Sequence, residues 1–433
     1  MLNSLFLLRK LRGNLKLNKA ELEEIQRKKL KDLLKHAYEN VPYYRKLFAS
    51  AGIEPNSING IEDLSRIPIT DKLTLQSLAP EEILARGMRV DRCVTDVTSG
   101  STGIPLHVHF TQRDYLIRSL SFIRTFIELG YRLTHRQAIV CDTRFVNDKE
   151  YWFQHLGILR KQYIPVQFAL NRQIQILMDY RPDFIHGYPQ SLAIIAEELL
   201  KRGIDSVSPA MVCTGAELVG QKSREKINAA FGVEMADSYA TIESGMIAWQ
   251  CRVLKGYHIN IDNLVLEFLH NGKPVRPGES GRVVVTNLHS YAMPIIRYEL
   301  GDVCIPSDSL CPCGNQFPLM TVVEGRIDDM VKTPSGKVIS PNSITNVMEA
   351  VDGIGQFKVI QEKKDLMVVQ IVAGAGFSQD TPRRAQNLLK ELVGEDMRIE
   401  FRMVSEISKE HTGKIRAVIS RVPDSKKSVE ATS

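Results

Sequence analysis

Apolar positions recur at helical spacing in "NKAELEEIQRKKLKDLLKHAYENVPYY", residues 18–44, where Leu22, Ile25, Leu30, Leu33, Leu34 and Ala37 share one stripe. Asn18 followed three residues later by Glu21 supplies an N-cap and a capping box, and Pro42 marks the stop. This segment belongs to a helical lead-in over residues 1–90. From about residue 90 to 290, short β-rich runs alternate with helical ones. "QAIVC", "DFIHG", "AMVCTGAE" and "VEMADSY" read as buried strands, and "PQSLAIIAEELLKRG" and "ELVGQKSREKINAAFG" as helices stopped by glycine. Such alternation predicts helix-covered, mostly parallel sheets. "NLVLEFLHNGKPVRPGESGRVVVTN", residues 263–287, holds two strands around a turn-rich loop and predicts a more antiparallel, β-barrel-like piece. After "GRIDD" at 325–329 the pattern changes again. "NSITNVMEAV", "FKVIQ", "LMVVQIVA", "RRAQNLLKELV" and "RIEFRMV" predict a small α+β unit, and the polar end "DSKKSVEATS" predicts a disordered tail. The expected fold is therefore α/β. It has a large N-terminal domain over residues 1–327, a C-terminal domain over 328–423 and a tail over 424–433.

Composition narrows this picture. A chain of 433 residues with 43% hydrophobic and 24% charged residues is globular, and its formal net charge of +6 is too weak to imply nucleic acid. The first 50 residues hold twelve Lys or Arg against five Asp or Glu. That excess reads as a solvated helix face, with an acidic lipid surface as the other reading. No run approaches the roughly 18 apolar residues of a membrane span, and Arg9 interrupts "MLNSLFLLRK" too early for a signal peptide. A soluble, cytoplasmic protein is expected. Seven unevenly placed cysteines point to reduced thiols or metal ligands rather than a disulfide framework.

The candidate chemistry begins at "TSGSTGIPLH", residues 98–107. Thr98, Ser99, Gly100, Ser101, Thr102 and Gly103 offer hydroxyls and unobstructed main-chain N–H groups, which suit either an anion cradle or an ordinary turn. The loop lacks a Walker Gly-Lys-Ser/Thr ending, so the positive charge for a phosphate must come from elsewhere. "CTGAEL" at 213–218 and "DSYATIESG" at 237–245 each follow a predicted strand, the usual place for ligand sites in α/β sheets. In the second, Ser238 and Thr241 offer hydroxyls, Tyr239 a flat ring, and Glu243 a carboxylate suited to Mg²⁺. Asp302, after a glycine in "PIIRYELGDV", can accept from both ribose hydroxyls. Each of these residues also has a purely structural reading.

Taken in order, "TSGSTGxP", "TGAE", "SYATIE", "RYELGD", "GRIDDMVKTPSGKVISP" and "HTGKIR" resemble the signature series of the adenylate-forming acyl-CoA synthetase and ligase superfamily. The likeness is greatest to its phenylacetate–CoA ligase-like branch, which includes proteins linked to capsular polysaccharide synthesis. The resemblance spans about Leu30 to Arg416. It implies that residues 98–103 cover the ATP phosphates and that Gly215, Ala216 and Glu217 line the adenine side. By the same resemblance Tyr239 stacks on the base, Thr241 contacts the α-phosphate, Glu243 binds Mg²⁺, and Asp302 holds the ribose with help from Arg326. Asp328 is the implied hinge of a mobile C-terminal domain, and Lys414 the lysine that reaches the active site for adenylation. The implied reaction activates a carboxylic acid as acyl-adenylate, with release of pyrophosphate, and passes the acyl group to CoA. Transfer to an amine or hydroxyl of a sugar or other small molecule is equally compatible, and a non-catalytic nucleotide-binding protein is a third reading.

Cys251 and His258 in "WQCRVLKGYHIN" and Cys311 and Cys313 in "SLCPCGNQFP" suggest a structural Cys₃His zinc site, with Cys304 as a substitute ligand. The phenylacetate–CoA ligase-like branch looks similar there. Cys93, Cys141 and Cys213 read as core. Residues 141–167 lack the glycine-rich wall that aryl-CoA ligases of this branch carry, which speaks against phenylacetate itself. Trp152, Phe153, His155 and His186 are possible acyl-pocket residues for which core packing is the leading reading; Arg144 and Arg160 read as surface residues. The acid, the acceptor and the oligomeric state are left open, a dimer included.

Overall fold

The computed structural model describes residues 2–98, 105–147, 149–253, 256–408 and 415–422. The chain divides into two units. One comprises Met1–Gly130 with Ser238–Val322, the other Tyr131–Asp237 with Val323–Ser433.

In the first unit, the stripe on helix Lys19–Asn40 buries Leu22, Leu30, Leu33, Leu34 and Ala37, and both capping-box bonds form between Asn18 and Glu21. Two details differ from the sequence reading. Gln26, rather than Ile25, is the sixth buried position, because its amide donates to the Leu264 carbonyl at 2.7 Å and so enters the core satisfied. Pro42 does more than stop a helix: it opens the next one, Pro42–Ser50, where its missing N–H costs nothing. Tyr44, Phe48, Leu64, Ile67, Val265, Leu288 and Ile296 complete this core. Helices Leu2–Asn14 and Gln112–Glu128 meet through Leu8, Leu11 and Leu120. Beneath them lies a fully buried ion pair, Arg124 to Asp262 at 2.7 Å, with the guanidinium over Trp249 and Phe317.

Strands Val94–Val97 and His107–Phe110 pair antiparallel around the loop 98–106. The loop is closed at its base by Thr98 N to Leu106 O at 3.0 Å and Leu106 N to Thr98 Oγ1 at 2.9 Å. Strands Leu264–His270 and Gly281–Asn287 pair antiparallel from Leu264↔Asn287 to Leu269↔Arg282, the arrangement read for residues 263–287. The latter pairs with Tyr298–Ser307, and Ala236–Thr241, Gly245–Gln250 and Tyr257–Ile259 form an antiparallel run. "VEMADSY" therefore starts its strand later than expected and carries it on to Thr241.

The second unit holds four parallel strands in the order Lys161–Pro165, Gln137–Cys141, Phe184–Gly187, Met211–Gly215. Ala138, Val140, Ile185 and Val212 face Ile174, Leu177, Leu192, Leu199, Ile227 and Phe231 from helices Leu170–Tyr180, Pro189–Arg202 and Gln221–Phe231. The last helix begins at Gln221, after a loop, rather than at Glu217. Parallel pairing recurs in parts of the C-terminal segment. There, Arg398–Met403, Leu366–Ala373, Ile354–Lys363 and Val418–Ser420 form a four-stranded sheet packed on helices Pro341–Ala350 and Thr381–Val393. The tail read as disordered, 424–433, lies outside the described residues. Among the described residues no helix is long and apolar enough to cross a membrane.

Candidate active site

Strand Ala236–Thr241, which belongs to the first unit from Ser238 onward, turns through Ile242, Glu243 and Ser244 into strand Gly245–Gln250, with Thr241 opposite Gly245. Gly245 sits at φ +72°, and a Cβ there would lie 3.2 Å from Arg118 Cγ. The turn displays Glu243. Its Oε1 accepts from Tyr298 Oη at 3.1 Å, and its main-chain carbonyl accepts from Asn287 Nδ2 at 3.1 Å. Thr241 Oγ1 accepts from Ser244 N at 3.2 Å. Tyr239 donates to Asp302 Oδ2 at 2.6 Å, so the aromatic and the carboxylate form one unit. Burial, then the neighbouring Asp302 charge, pushes this phenol well above its ordinary range. Ser238 is buried on the same strand.

In the second unit, strand Met211–Gly215 ends in the "TGAE" turn, where Ala216 adopts φ +69°. Thr214 Oγ1 donates to Asp237 at 2.5 Å. Glu217 Oε2 accepts from Gln190 N at 3.4 Å, and its Oε1 from Ile415 N at 3.1 Å. Arg326 ends strand Leu319–Arg326 and is half-buried. Asp328 is exposed in the following turn, whereas Asp329 is buried and paired with Arg416. Burial raises Asp329 against the opposing pull of Arg416. The structure therefore holds residues 415 and 416 by two carboxylates. Lys414 itself, like Ser99, Gly100, Ser101, Thr102 and Gly103, lies outside the described residues.

Sequence reasoning missed Arg118, Asn287, Tyr298, Gln190, Asp329 and Arg416. The doubled acid of "RIDD" and the arginine two residues after Lys414 were the only local signals. The others act over long sequence distances: Arg118 and Asn287 on main-chain carbonyls, Tyr298 on the Glu243 carboxylate, and Gln190 through its own N–H. Core packing, expected for Trp152 and His155, does not hold: both are exposed, because the four-residue helix that carries them lies at the surface. Phe153 is half-buried against Trp152, their rings 6.0 Å apart. Arg144 pairs with Asp142 at 3.1 Å, and Arg160 donates to the Thr134 carbonyl at 2.8 Å. Cys141 and Cys213 are buried and Cys93 half-buried.

The ligand atoms of Cys251, His258, Cys311 and Cys313 all lie within 4.8 Å of one another, a set that leaves Cys304 out. Cys251 follows one strand, His258 sits on the neighbouring strand, and the Cys311–Cys313 loop leads into the strand that pairs beside His258. His258 Nδ1 faces the Phe317 carbonyl at 3.2 Å, which fixes that nitrogen as the donor and leaves Nε2 free to ligate. The separations of 3.5 Å between Cys251 and Cys311 sulfurs and 3.4 Å between Cys313 Sγ and His258 Nε2 fit a tetrahedron with zinc–ligand bonds of about 2.0–2.3 Å. The donor set suits zinc.

Residues 331–421 match the family described as the CapK C-terminal domain. Phenylacetate-coenzyme A ligase of Thermus thermophilus is 29% identical over 351 residues, 77% of each chain. That of Escherichia coli strain K12 is 30% identical over 333 residues, 72% of each. Protein CapK of Staphylococcus aureus is 20% identical over 421 residues, 93% of this chain and 90% of its own. The structure of 2-hydroxyisobutyryl-CoA ligase in its postadenylation state with 2-HIB-AMP shares the fold. It has a TM-score of 0.77 at 19% identity and covers 96% of this chain and 92% of its own. The six ordered motifs, the shared fold and the extent of these alignments lead to one conclusion: the chain belongs to the phenylacetate–coenzyme A ligase family of adenylate-forming ligases.

Proposed function

We propose that the protein joins a carboxylic acid to the α-phosphorus of MgATP and then transfers the acyl group to the thiol of CoA. The observation that carries this reading is the turn after strand Ala236–Thr241. It displays Glu243 two residues beyond Thr241, on the strand whose Tyr239 is bonded to Asp302. In the first step the substrate carboxylate forms a bond to the α-phosphorus as the bond to pyrophosphate breaks. Magnesium would be held by Glu243 and would neutralise charge on the phosphates. Thr241 donates to the α-phosphate, Tyr239 stacks on adenine beside Gly215, Ala216 and Glu217, and Asp302 with Arg326 holds the ribose. Thr98 to Gly103 cover the phosphates, and Ser238 lines the nucleotide. Lys414 supplies the positive charge that the loop lacks. In the second step the thiol attacks the acyl carbon and AMP leaves. The C-terminal domain, 328–423, turns about Asp328 between the steps, withdrawing Lys414 and admitting the acceptor. Cys251, His258, Cys311 and Cys313 would hold a zinc ion, and with four protein ligands its role would be structural. The proposed compartment is the cytoplasm.

A second reading is transfer to an amine or hydroxyl of a sugar or other small molecule, for which an acyl-adenylate is equally competent. Incubation with MgATP, an acid panel, and either CoA or amino and hydroxyl acceptors separates the two. A CoA thioester supports the first, an amide or ester supports the second, and AMP release with no acid dependence contradicts both.

A further inference from the structure

Arg118 lies on helix Gln112–Glu128, whose start is fixed by reciprocal bonds between Thr111 and Asp114. The Asp114 carboxylate also accepts the Tyr291 and Ala292 amides, both at 3.1 Å. The backbone that carries Arg118 is therefore anchored. Its side chain is only 14% exposed, and its contacts are of three kinds. Nη1 donates to the carbonyls of Ile242 at 2.8 Å and Thr241 at 3.2 Å, the two main-chain oxygens immediately before Glu243. Nη2 stands 3.7 Å from Asp96 Oδ2, on the strand that enters the loop at Thr98. The guanidinium carbon lies 5.3 Å from the ring centre of Phe110, on the strand that leaves that loop. Gly245 makes this possible, because a Cβ there would press on both Cγ and Nη1 of Arg118 at 3.2 and 3.3 Å.

Two adjacent carbonyls that converge on one point repel each other unless a cation sits between them. A guanidinium can serve both and still face a carboxylate; an ammonium has neither the planar fork nor the spread. We propose that Arg118 is a positioning residue for MgATP. It sets the Glu243 carboxylate against the strands that flank the phosphate loop without itself touching the nucleotide. The inference rests on the reading in which Glu243 holds magnesium. It goes beyond that reading by adding a residue outside every motif of the series. Its consequence is specific: loss of Arg118 weakens metal–nucleotide binding, so that more Mg²⁺ is required, and spares the acid.

The full-length protein with Arg118→Met, which keeps the side-chain stem, and Arg118→Lys, which keeps the charge, tests this. Three quantities are read: the Mg²⁺ concentration for half-maximal acid-dependent ATP–pyrophosphate exchange, the KM for the acid, and ATP binding by calorimetry with and without Mg²⁺. Losing charge-assisted bonds to both carbonyls is expected to raise the Mg²⁺ requirement of Arg118→Met at least about tenfold. The KM for the acid stays within about twofold and Arg118→Lys falls between the two proteins. Melting curves establish that each variant is folded. A Mg²⁺ requirement unchanged in both folded variants overturns the inference, as does an acid KM that rises in parallel. Wild-type protein whose ATP binding is indifferent to Mg²⁺ instead overturns the magnesium role of Glu243, and with it the role given to Arg118. Should Arg118→Met not fold, Arg118→Lys with a wild-type Mg²⁺ requirement is the contradicting result.

Discussion

Helix Gln221–Phe231 starts at Gly220, which has no side chain to cap it. The cap comes instead from Glu349, on helix Pro341–Ala350 of the C-terminal segment. Its carboxylate accepts Lys222 N at 2.8 Å, Ser223 Oγ at 2.8 Å and Ser223 N at 3.4 Å. The fit depends on glycine, since a Cβ at 220 would fall 2.2 Å from that carboxylate. Glu349→Ala removes a side-chain cap worth about 1 kcal/mol and a favourable charge at the helix N-terminus worth about 0.3–1 kcal/mol. The expected loss is therefore about 1.3–2 kcal/mol, a factor of roughly ten to thirty in the opening equilibrium of this contact. Hydrogen exchange of the peptides covering 219–226 and 343–352 reads it directly. Both are expected to lose protection by that factor in Glu349→Ala, by less in Glu349→Gln, which keeps one acceptor, and to a similar extent in Gly220→Ala. If Glu349→Ala left the amides of Lys222 and Ser223 as protected as before, the cap would be contributing nothing and the reasoning would fail.

Three further outcomes are expected. Elemental analysis of protein purified without chelators is expected to give one zinc per chain, lost in Cys311→Ser together with a fall in Tm; an unmetallated protein with an unchanged Tm counts against the site. Burial, with Lys161 nearby, lowers His186 from 6.5 to about 4. The neutral ring therefore contributes stability above pH 6.5 that is lost as the pH falls toward 4, at most about 3 kcal/mol. His186→Gln is expected to flatten the denaturation midpoint over that window, and an identical acid-side slope in both proteins refutes it. Asp262→Ala strands the buried Arg124 guanidinium, so urea denaturation is expected to show a loss of about 3–5 kcal/mol; a loss below 1 kcal/mol would mean that Arg124 finds another partner.

Elements whose formation is local were legible in the sequence. The Asn18–Glu21 capping box, the Leu22 to Ala37 stripe and the strands at 137–141, 184–187 and 211–215 all follow from periodicity and capping. So was the grouping of Cys251, His258, Cys311 and Cys313, which the fold brings together. What escaped was polar and long-range. Gln26 is buried because a carbonyl 238 residues away accepts its amide, and no pattern of apolar positions reveals that. Arg118 answers two carbonyls more than 120 residues distant, so it looks like any helix arginine. Glu349 resembles a solvated helix acid until the glycine before Gln221 is seen beside it. The helix start itself was misplaced for the same reason, as its cap is supplied from the C-terminal segment. The Asp329–Arg416 pair was half visible, flanking the motif residues Asp328 and Lys414 that drew attention first.

In the proposed reaction this chain adenylates an acid with the charge of Lys414. Acid-dependent exchange of radioactive pyrophosphate into ATP, run across a panel of carboxylic acids with wild-type protein and Lys414→Ala, tests it most directly. Exchange that needs both an acid and Mg²⁺ is expected in the wild type, and its loss in Lys414→Ala. Exchange retained at the wild-type rate in Lys414→Ala would contradict it.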